Sequence, residues 1–390
     1  MVTDALPPIS PSIDPVKPFR VMTVMQRAAE LEAAGHSIVH MEVGEPDFTT
    51  ADPIIMAAKR ALDAGHTRYT NASGVQELRA AISSHYESRY AAEVPAERIL
   101  VTPGASAGLM LLAHLLVGPG DGVLLSDPAY PCVRNFIHLV NGLPQLIPVG
   151  QPQNFQPTLE LLERFCNEQT RSLWLASPGN PSGTILERER LAEIVEWAQR
   201  KGLSLIVDEI YHGLHYVDDM PSVTEFSDRS FVVNSFSKYF GMTGWRLGWI
   251  VVPEGLVRQA TILAQNLYIS PPSMAQQAAI TALSESTRPL LEERRSAFRE
   301  RRDYLQGELE ALGFILPEIT QGAFYLYADI SRLADDAEIF CRNMLEKHGV
   351  AITPGSDFGN YRSELHVRFA FTTSMENLRL AAKRLRSALT

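Results

Sequence analysis

The sequence predicts an α/β fold: a large domain with a mostly parallel seven-stranded sheet covered by helices, and a smaller α+β domain beside it. Three observations lead there. The 390 residues are more than one hydrophobic core usually organises. Short apolar runs alternate with amphipathic stretches through the middle of the chain, the pattern of parallel strands joined by helices. After about Pro289 this alternation stops and a long charged helix begins.

Pro7, Pro8, Pro11, Pro15 and Pro18 space out the first twenty residues and predict an extended arm. Strands are expected at 99–102, 123–126, 145–149, 172–176, 203–208, 231–234 and 247–252. Amphipathic stretches at 74–89, 109–117 and 188–201 supply covering helices. The charged helix runs to about Leu312, followed by a strand at 324–329, a helix near 337–347, a strand at 365–371 and a closing helix. The arm and residues 38–43 are expected to pack with this last unit. The expected division is therefore 46–289 for the large domain, and 1–45 with 290–390 for the small one.

Apolar residues make up 45% of the chain and charged residues 21%, enough for a sizeable core. The net charge of −10 argues against nucleic acid, whose phosphates need a basic surface. The densest basic stretch, 294–302, is interleaved with Glu300 and flanked by Glu293 and Asp303, and reads as a solvated helix face. Cys132, Cys166 and Cys341 are too few and too scattered for a disulfide framework or a zinc site, so no metal is expected. Their sparsity implies a reducing compartment. Residues 1–20 lack a charged segment followed by an apolar one, and no apolar run has transmembrane length. The expectation is a cytoplasmic protein without a membrane partner.

Ligands of open α/β sheets gather outside the carboxyl ends of the strands. Four strand exits carry suitable residues. The run Leu203-Ser-Leu-Ile-Val-Asp208-Glu209-Ile-Tyr211 ends an apolar strand in a carboxylate, which alone also reads as a helix cap. Ser235-Phe-Ser237-Lys238-Tyr-Phe-Gly-Met-Thr-Gly-Trp-Arg246 sets a lysine among small hydroxyls and aromatics. Such surroundings lower an amine's proton affinity and make it a nucleophile. Ser235, Ser237 and Arg246 are phosphate-binding types. Thr102-Pro-Gly104-Ala105-Ser106-Ala-Gly108 leads a strand into a small-residue turn that opens a helix, another phosphate cradle. Ser177-Pro-Gly-Asn180-Pro-Ser-Gly183 places one amide after a strand and alone reads equally as a plain loop.

Together these segments resemble those of the class I/II aminotransferases, the fold type I pyridoxal phosphate enzymes. The resemblance covers nearly the whole chain in order. It includes Val43-Gly44-Glu-Pro-Asp-Phe48, Tyr69-Thr-Asn-Ala-Ser-Gly74 with Leu78-Arg79, Asp127-Pro-Ala-Tyr130-Pro131 and Asn180-Pro-Ser-Gly183. It continues through Asp208-Glu-Ile-Tyr211, Ser235-Phe-Ser-Lys238, Gly244-Trp-Arg246-Leu-Gly248 and Arg368. The resemblance implies pyridoxal 5′-phosphate held as a Schiff base on Lys238, which also shuttles the substrate Cα proton. It implies that Asp208 pairs with the pyridine nitrogen, that Tyr211 and Asn180 bond the ring hydroxyl oxygen, and that Tyr130 stacks on the ring. The phosphate would be held by the Gly104-Ala105-Ser106 turn, Ser235, Ser237 and Arg246, with Tyr69 reaching it from a second subunit of a homodimer with shared active sites. Arg368 would clamp the substrate carboxylate, assisted by the Gly44 backbone. Strand alternation instead puts Arg368 opposite Leu365, Val367, Phe369 and Phe371, a solvent-facing position.

The implied reaction moves an amino group from an L-amino acid to a 2-oxo acid. Residues 259–287 hold no arginine for a second carboxylate, and Ser106 stands where some relatives carry lysine. Neutral or aromatic amino acids are therefore expected over dicarboxylic ones, with Phe19, Tyr130, Tyr268 and Ile269 as lining and Arg20 as the remaining candidate cation. The alternatives are a C–S lyase, an aspartate-preferring aminotransferase, or a non-catalytic effector-binding module. A remote one is a serine hydrolase, since Gly104-Ala-Ser106-Ala-Gly108 fits a nucleophile elbow. Asp329 or Asp357 with His348 or His366 would have to complete it.

Overall fold

The apolar runs become strands because most of them are buried on both faces, the edge run 143–148 being half-exposed. The structure is a computed structural model and describes residues 9–318 and 320–389, so Pro7 and Pro8 lie outside it. In chain order the strands are β1 (Val39–His40), β2 (Ile99–Thr102), β3 (Gly122–Asp127), β4 (Leu143–Pro148), β5 (Thr170–Ala176) and β6 (Ser204–Asp208). Then come β7 (Phe231–Ser235), β8 (Gly248–Val251), β9 (Tyr325–Asp329), β10 (Val350–Ala351), β11 (Thr353–Pro354) and β12 (His366–Ala370).

Strands β2 to β8 form one seven-stranded sheet in the order β2-β8-β7-β6-β5-β3-β4. All are parallel except β8, which runs antiparallel to both of its neighbours. Successive side chains enter two separate cores. Leu205 and Val207 pack on one face of β6 and Ile206 on the other. This is why the runs are apolar throughout rather than alternating.

Covering helices follow the sequence periodicity. Arg188–Lys201 buries Leu191, Ile194, Val195 and Ala198, and stops at Gly202, whose φ of 69° is left-handed. The helix expected at 109–117 is Ala105–Leu116. Its start escapes periodicity because Ala105, Ser106 and Ala107 carry no apolar pattern, and the turn at Gly104 sets it instead. The long charged helix is Arg288–Ala311.

A second group of strands joins the chain ends. Strand β1 pairs in parallel with β10, and β12 lies between β11 and β9. Residues 366–370 are buried throughout, Arg368 included. The solvent-facing position read from alternation is thus corrected: β12 is a central strand with both faces covered. The arm is not uniformly extended either, since Pro11–Ile13 forms a 3-10 turn with Ser10 accepting from the Ser12 amide. No helix among the described residues is long and apolar enough to cross a membrane.

Candidate active site

The edge of the large sheet where the parallel strands end gathers the loaded exits. Strand β2 ends at Thr102 before the Gly104 turn, β3 at Asp127 before Tyr130, β5 at Ala176 before Asn180, β6 at Asp208, and β7 at Ser235 before Lys238. Because β8 is antiparallel, its first residue, Gly248, lies at this same edge and brings Arg246 with it. They border a cleft of about 300 Å³. Of the residues singled out from sequence, Gly44, Ala105, Ser106, Tyr130, Asn180, Asp208, Tyr211, Ser235, Ser237, Lys238, Arg246 and Arg368 line it.

Gly104 adjoins the cleft. It has φ 84°, and a Cβ there would stand 2.4 Å from Arg246 Nη2, so glycine alone lets the guanidinium lie against the turn. The helix Ala105–Leu116 has no side-chain cap, which leaves its first-turn N–H groups for an anion. Ser235 Oγ and Ser237 Oγ are 3.0 Å apart beside it. Arg246 is exposed and donates to the Thr243 carbonyl at 2.8 Å.

Lys238 Nζ donates to the Gly44 carbonyl at 2.7 Å. Burial pushes its ammonium down to about 8, against the pull of Glu45 and helped by Arg368 and Arg246. Burial pushes the Asp208 carboxyl up to about 7, opposed by the Ile210 amide and the Lys238 charge. Tyr211 Oη bonds Tyr325 Oη at 2.9 Å.

Arg368 is 2% exposed. Its Nη1 donates to Asn180 Oδ1 at 2.9 Å, and its Nη2 donates to the Glu42 carbonyl. The guanidinium lies 4.2 Å from the Tyr325 ring centroid and 4.6 Å from that of Phe358, and Nε has no hydrogen-bond partner among the described residues. Among the described residues its hydrogen-bond partners are neutral. The nearby Asp357 carboxylate acts on it only through space, and a buried cation with no ion-pair partner in hydrogen-bond reach suits an anionic ligand.

Several sequence expectations fall elsewhere. Tyr69, expected to serve a second subunit, is 80% exposed and outside its own chain's cleft. Phe19 and Tyr130 line the cleft, with ring centroids 6.1 Å apart, whereas Tyr268 and Ile269 do not. Arg20 is absent from the lining and pairs with Glu338. For the hydrolase, His366 Nδ1 faces the Arg362 carbonyl, Asp329 pairs with Arg362, and Asp357 accepts from Arg20 N. Among the described residues no histidine lines the cleft beside Ser106. No cluster there suits a metal.

Tyr325, Glu45, Thr243 and Ile210 also line the cleft, although residue type alone singled out none of them. Glu45, Thr243 and Ile210 lie within the motifs around Gly44, Lys238 and Asp208, a usable signal. Tyr325 reaches the cleft only because β9 pairs with β12, and no local pattern marks that.

The family model described as Aminotransferase class I and II matches residues 36–385. The valine–pyruvate aminotransferase of Mycobacterium tuberculosis is 36% identical over 376 residues, covering 96% of this chain and 97% of that protein. An aspartate aminotransferase of Pyrococcus horikoshii is 34% identical over 378 residues, covering 96% and 95%. Among solved structures, an aminotransferase from Mycobacterium tuberculosis superposes with a TM-score of 0.96 at 35% identity, covering 98% of this chain and 99% of that one.

Proposed function

The chain belongs to the class I and II aminotransferases, and we propose on that basis that it binds pyridoxal 5′-phosphate at Lys238 and prefers neutral or aromatic L-amino acids as donors. The observation that carries this reading is the meeting of Lys238, Asp208 and Arg368 in one cleft, though they lie far apart in the chain. We further propose that the cleft lies between two domains, 46–289 and 1–45 with 290–390.

The residues present fit the cofactor. The uncapped helix end with Ser106, Ser235, Ser237 and Arg246 suits its phosphate. Asp208 is a half-buried carboxylate, its carboxyl pushed up by desolvation, that a positively charged ring nitrogen would hold ionised. Tyr211 and Asn180 suit the ring hydroxyl oxygen, and Tyr130 the ring face. When bound, pyridoxal phosphate supplies an aldehyde for the amino group and an electron-poor ring that makes the substrate Cα proton removable. Arg368 binds the substrate α-carboxylate, directing Cα toward Lys238. Lys238 Nζ, with its proton affinity lowered by burial, takes the Cα proton and returns it. Tyr325 holds the Tyr211 hydroxyl and flanks Arg368, coupling the two ends of the cleft.

The preference rests on charge and lining. Phe19, Val21, Met22, Leu109 and Ile210 present an apolar wall, and Glu45 adds a negative charge. Arg20 is engaged by Glu338. A second substrate carboxylate would lose water without gaining a free cation, a cost of several kcal/mol. The test is kcat/KM for alanine, valine, methionine, phenylalanine, glutamate and aspartate against a common 2-oxo acid. A neutral donor should lead. Aspartate leading by about tenfold, or roughly 1.4 kcal/mol, overturns the preference.

We also propose a homodimer in which Tyr69 serves the partner's site. Tyr69 is 80% exposed, and the carbonyl of its neighbour Arg68 accepts from Ser273 Oγ at 2.6 Å, beside the exposed Met274 in the chain. Large side chains left this exposed suit a subunit interface. Light scattering should give twice the chain mass of 43.2 kDa. A fully active monomer contradicts the proposal.

A further inference from the structure

We propose that Asp357 is a positioning residue for the substrate side of the cleft: its carboxylate caps the helix whose start supplies Phe19, Val21 and Met22 to the cleft wall. The helix is Arg20–Ala33, and its N-cap, Phe19, has no side-chain oxygen to accept the first amides. Asp357, 337 residues away, fills that role: Oδ1 accepts from Arg20 N at 2.7 Å and Oδ2 from Val21 N at 3.4 Å. A carboxylate at a helix N-terminus also meets the favourable end of the macrodipole.

The same short segment touches the other walls. The Asp357 carbonyl accepts from Arg134 Nη2 at 3.3 Å, and Arg134 belongs to the helix Pro131–Leu139 that follows Tyr130. The next residue, Phe358, lies against the Arg368 guanidinium. The arm, the Tyr130 helix and the carboxylate clamp are thereby tied through 357–358.

Asp357 is 4% exposed, so water competes little for its bonds. The other ties of the arm are weaker. The Arg20–Glu338 pair is half-exposed, and Lys17 and Asn135 exchange only two long surface bonds, at 3.4 and 3.3 Å. Later turns of the helix are held separately, by Ala28 and Leu31 packing on Leu345 and Ala351. Loss of the cap should therefore loosen the first turn and leave the rest of the helix docked. The amino donor would then meet a poorly formed wall, while the proton transfer at Lys238 would be largely unaffected.

The proposal rests on the cleft being the aminotransfer site, and its test separates the two. Asp357→Ala and Asp357→Asn are compared in the holoenzyme by steady-state kinetics with an active donor and by amide hydrogen exchange. Asp357→Ala should raise the donor KM about tenfold while kcat stays within about threefold. Asp357→Asn keeps an acceptor oxygen and should return KM to within about threefold of the parent. Exchange at the Arg20 and Val21 amides should accelerate in the alanine variant alone, whatever the donor proves to be. Unchanged KM, failure of asparagine to rescue, or unchanged exchange at these amides overturns the proposal. So does acceleration spread through β2 to β8, which would mark a general stabilising role.

Discussion

Lys238→Ala should lower kcat by roughly a thousandfold while the protein still takes up pyridoxal phosphate. The residues proposed to hold the phosphate do not include this lysine. The uncapped helix at Ala105, the hydroxyls of Ser235 and Ser237, and Arg246 all remain. What alanine removes is the amine at the point where the Cα proton must move. No other amine lines the cleft among the described residues, and Tyr211 is a poor replacement because burial holds its hydroxyl proton tightly. Turnover of the purified variant, with cofactor content measured by release in alkali, checks this. In the parent protein, borohydride should fix the cofactor mass on the peptide containing Lys238. Label on any other lysine, or a variant with near-parental kcat, sinks the assignment. The lowered proton affinity of this amine, about 8, adds a pH expectation. In the cofactor-free protein, reductive methylation of Lys238 should rise through that pH, well below the ordinary lysine value of about 10.4. The sign follows from chemistry: only the neutral amine reacts, and burial extends its pH range downward.

Asp208→Asn is expected to cost about a hundredfold in kcat, or about 2.7 kcal/mol of barrier. The substitution isolates charge from structure. Asp208 Oδ1 accepts from the Ile210 amide at 3.1 Å, a bond that the asparagine oxygen can keep. The β6 exit should therefore hold its shape. The ability to hold a proton on a neighbouring ring nitrogen is lost, because an amide gives no electrostatic support to a cation. A carboxyl already raised to about 7 by burial favours that cationic partner strongly, since pairing relieves the penalty of its own charge. Rates of single turnover with a good donor, together with thermal stability, measure the two contributions. Unchanged turnover would reduce Asp208 to the turn-forming residue that its local sequence also allows.

Most of the large sheet was legible because two-sided burial writes itself into composition. Leu205–Val207 and Phe231–Val233 are apolar because helices cover both faces, and such runs mark strands directly. Strand exits then locate the cleft by topology. Lys238, Asp208, Asn180 and Ser106 could be nominated because each follows a strand that ends at the same edge. Arg246 was nominated from its motif, but its place at that edge depends on β8 running antiparallel.

The remainder depends on contacts between distant parts of the chain. In Leu365-His-Val-Arg-Phe-Ala-Phe371, period-two alternation is real, yet Arg368 is buried because β11 and β9 flank it and Asn180, Tyr325 and Phe358 cover it. Alternation separates two faces but cannot say what covers each. Tyr325 joins the cleft through β-pairing with Ala370, in a strand well beyond any local pattern, and Arg20 leaves it through Glu338, 318 residues away. Asp357 capping a helix near the amino end is the same kind of event. The amino-acid order dictated the strands, their exits and the chemical types placed there, since those follow from local burial and backbone preference. Folding settled which cations stay free, which carboxylates are spent as caps, and which aromatic walls meet, since those are pairings between segments that carry no record of one another.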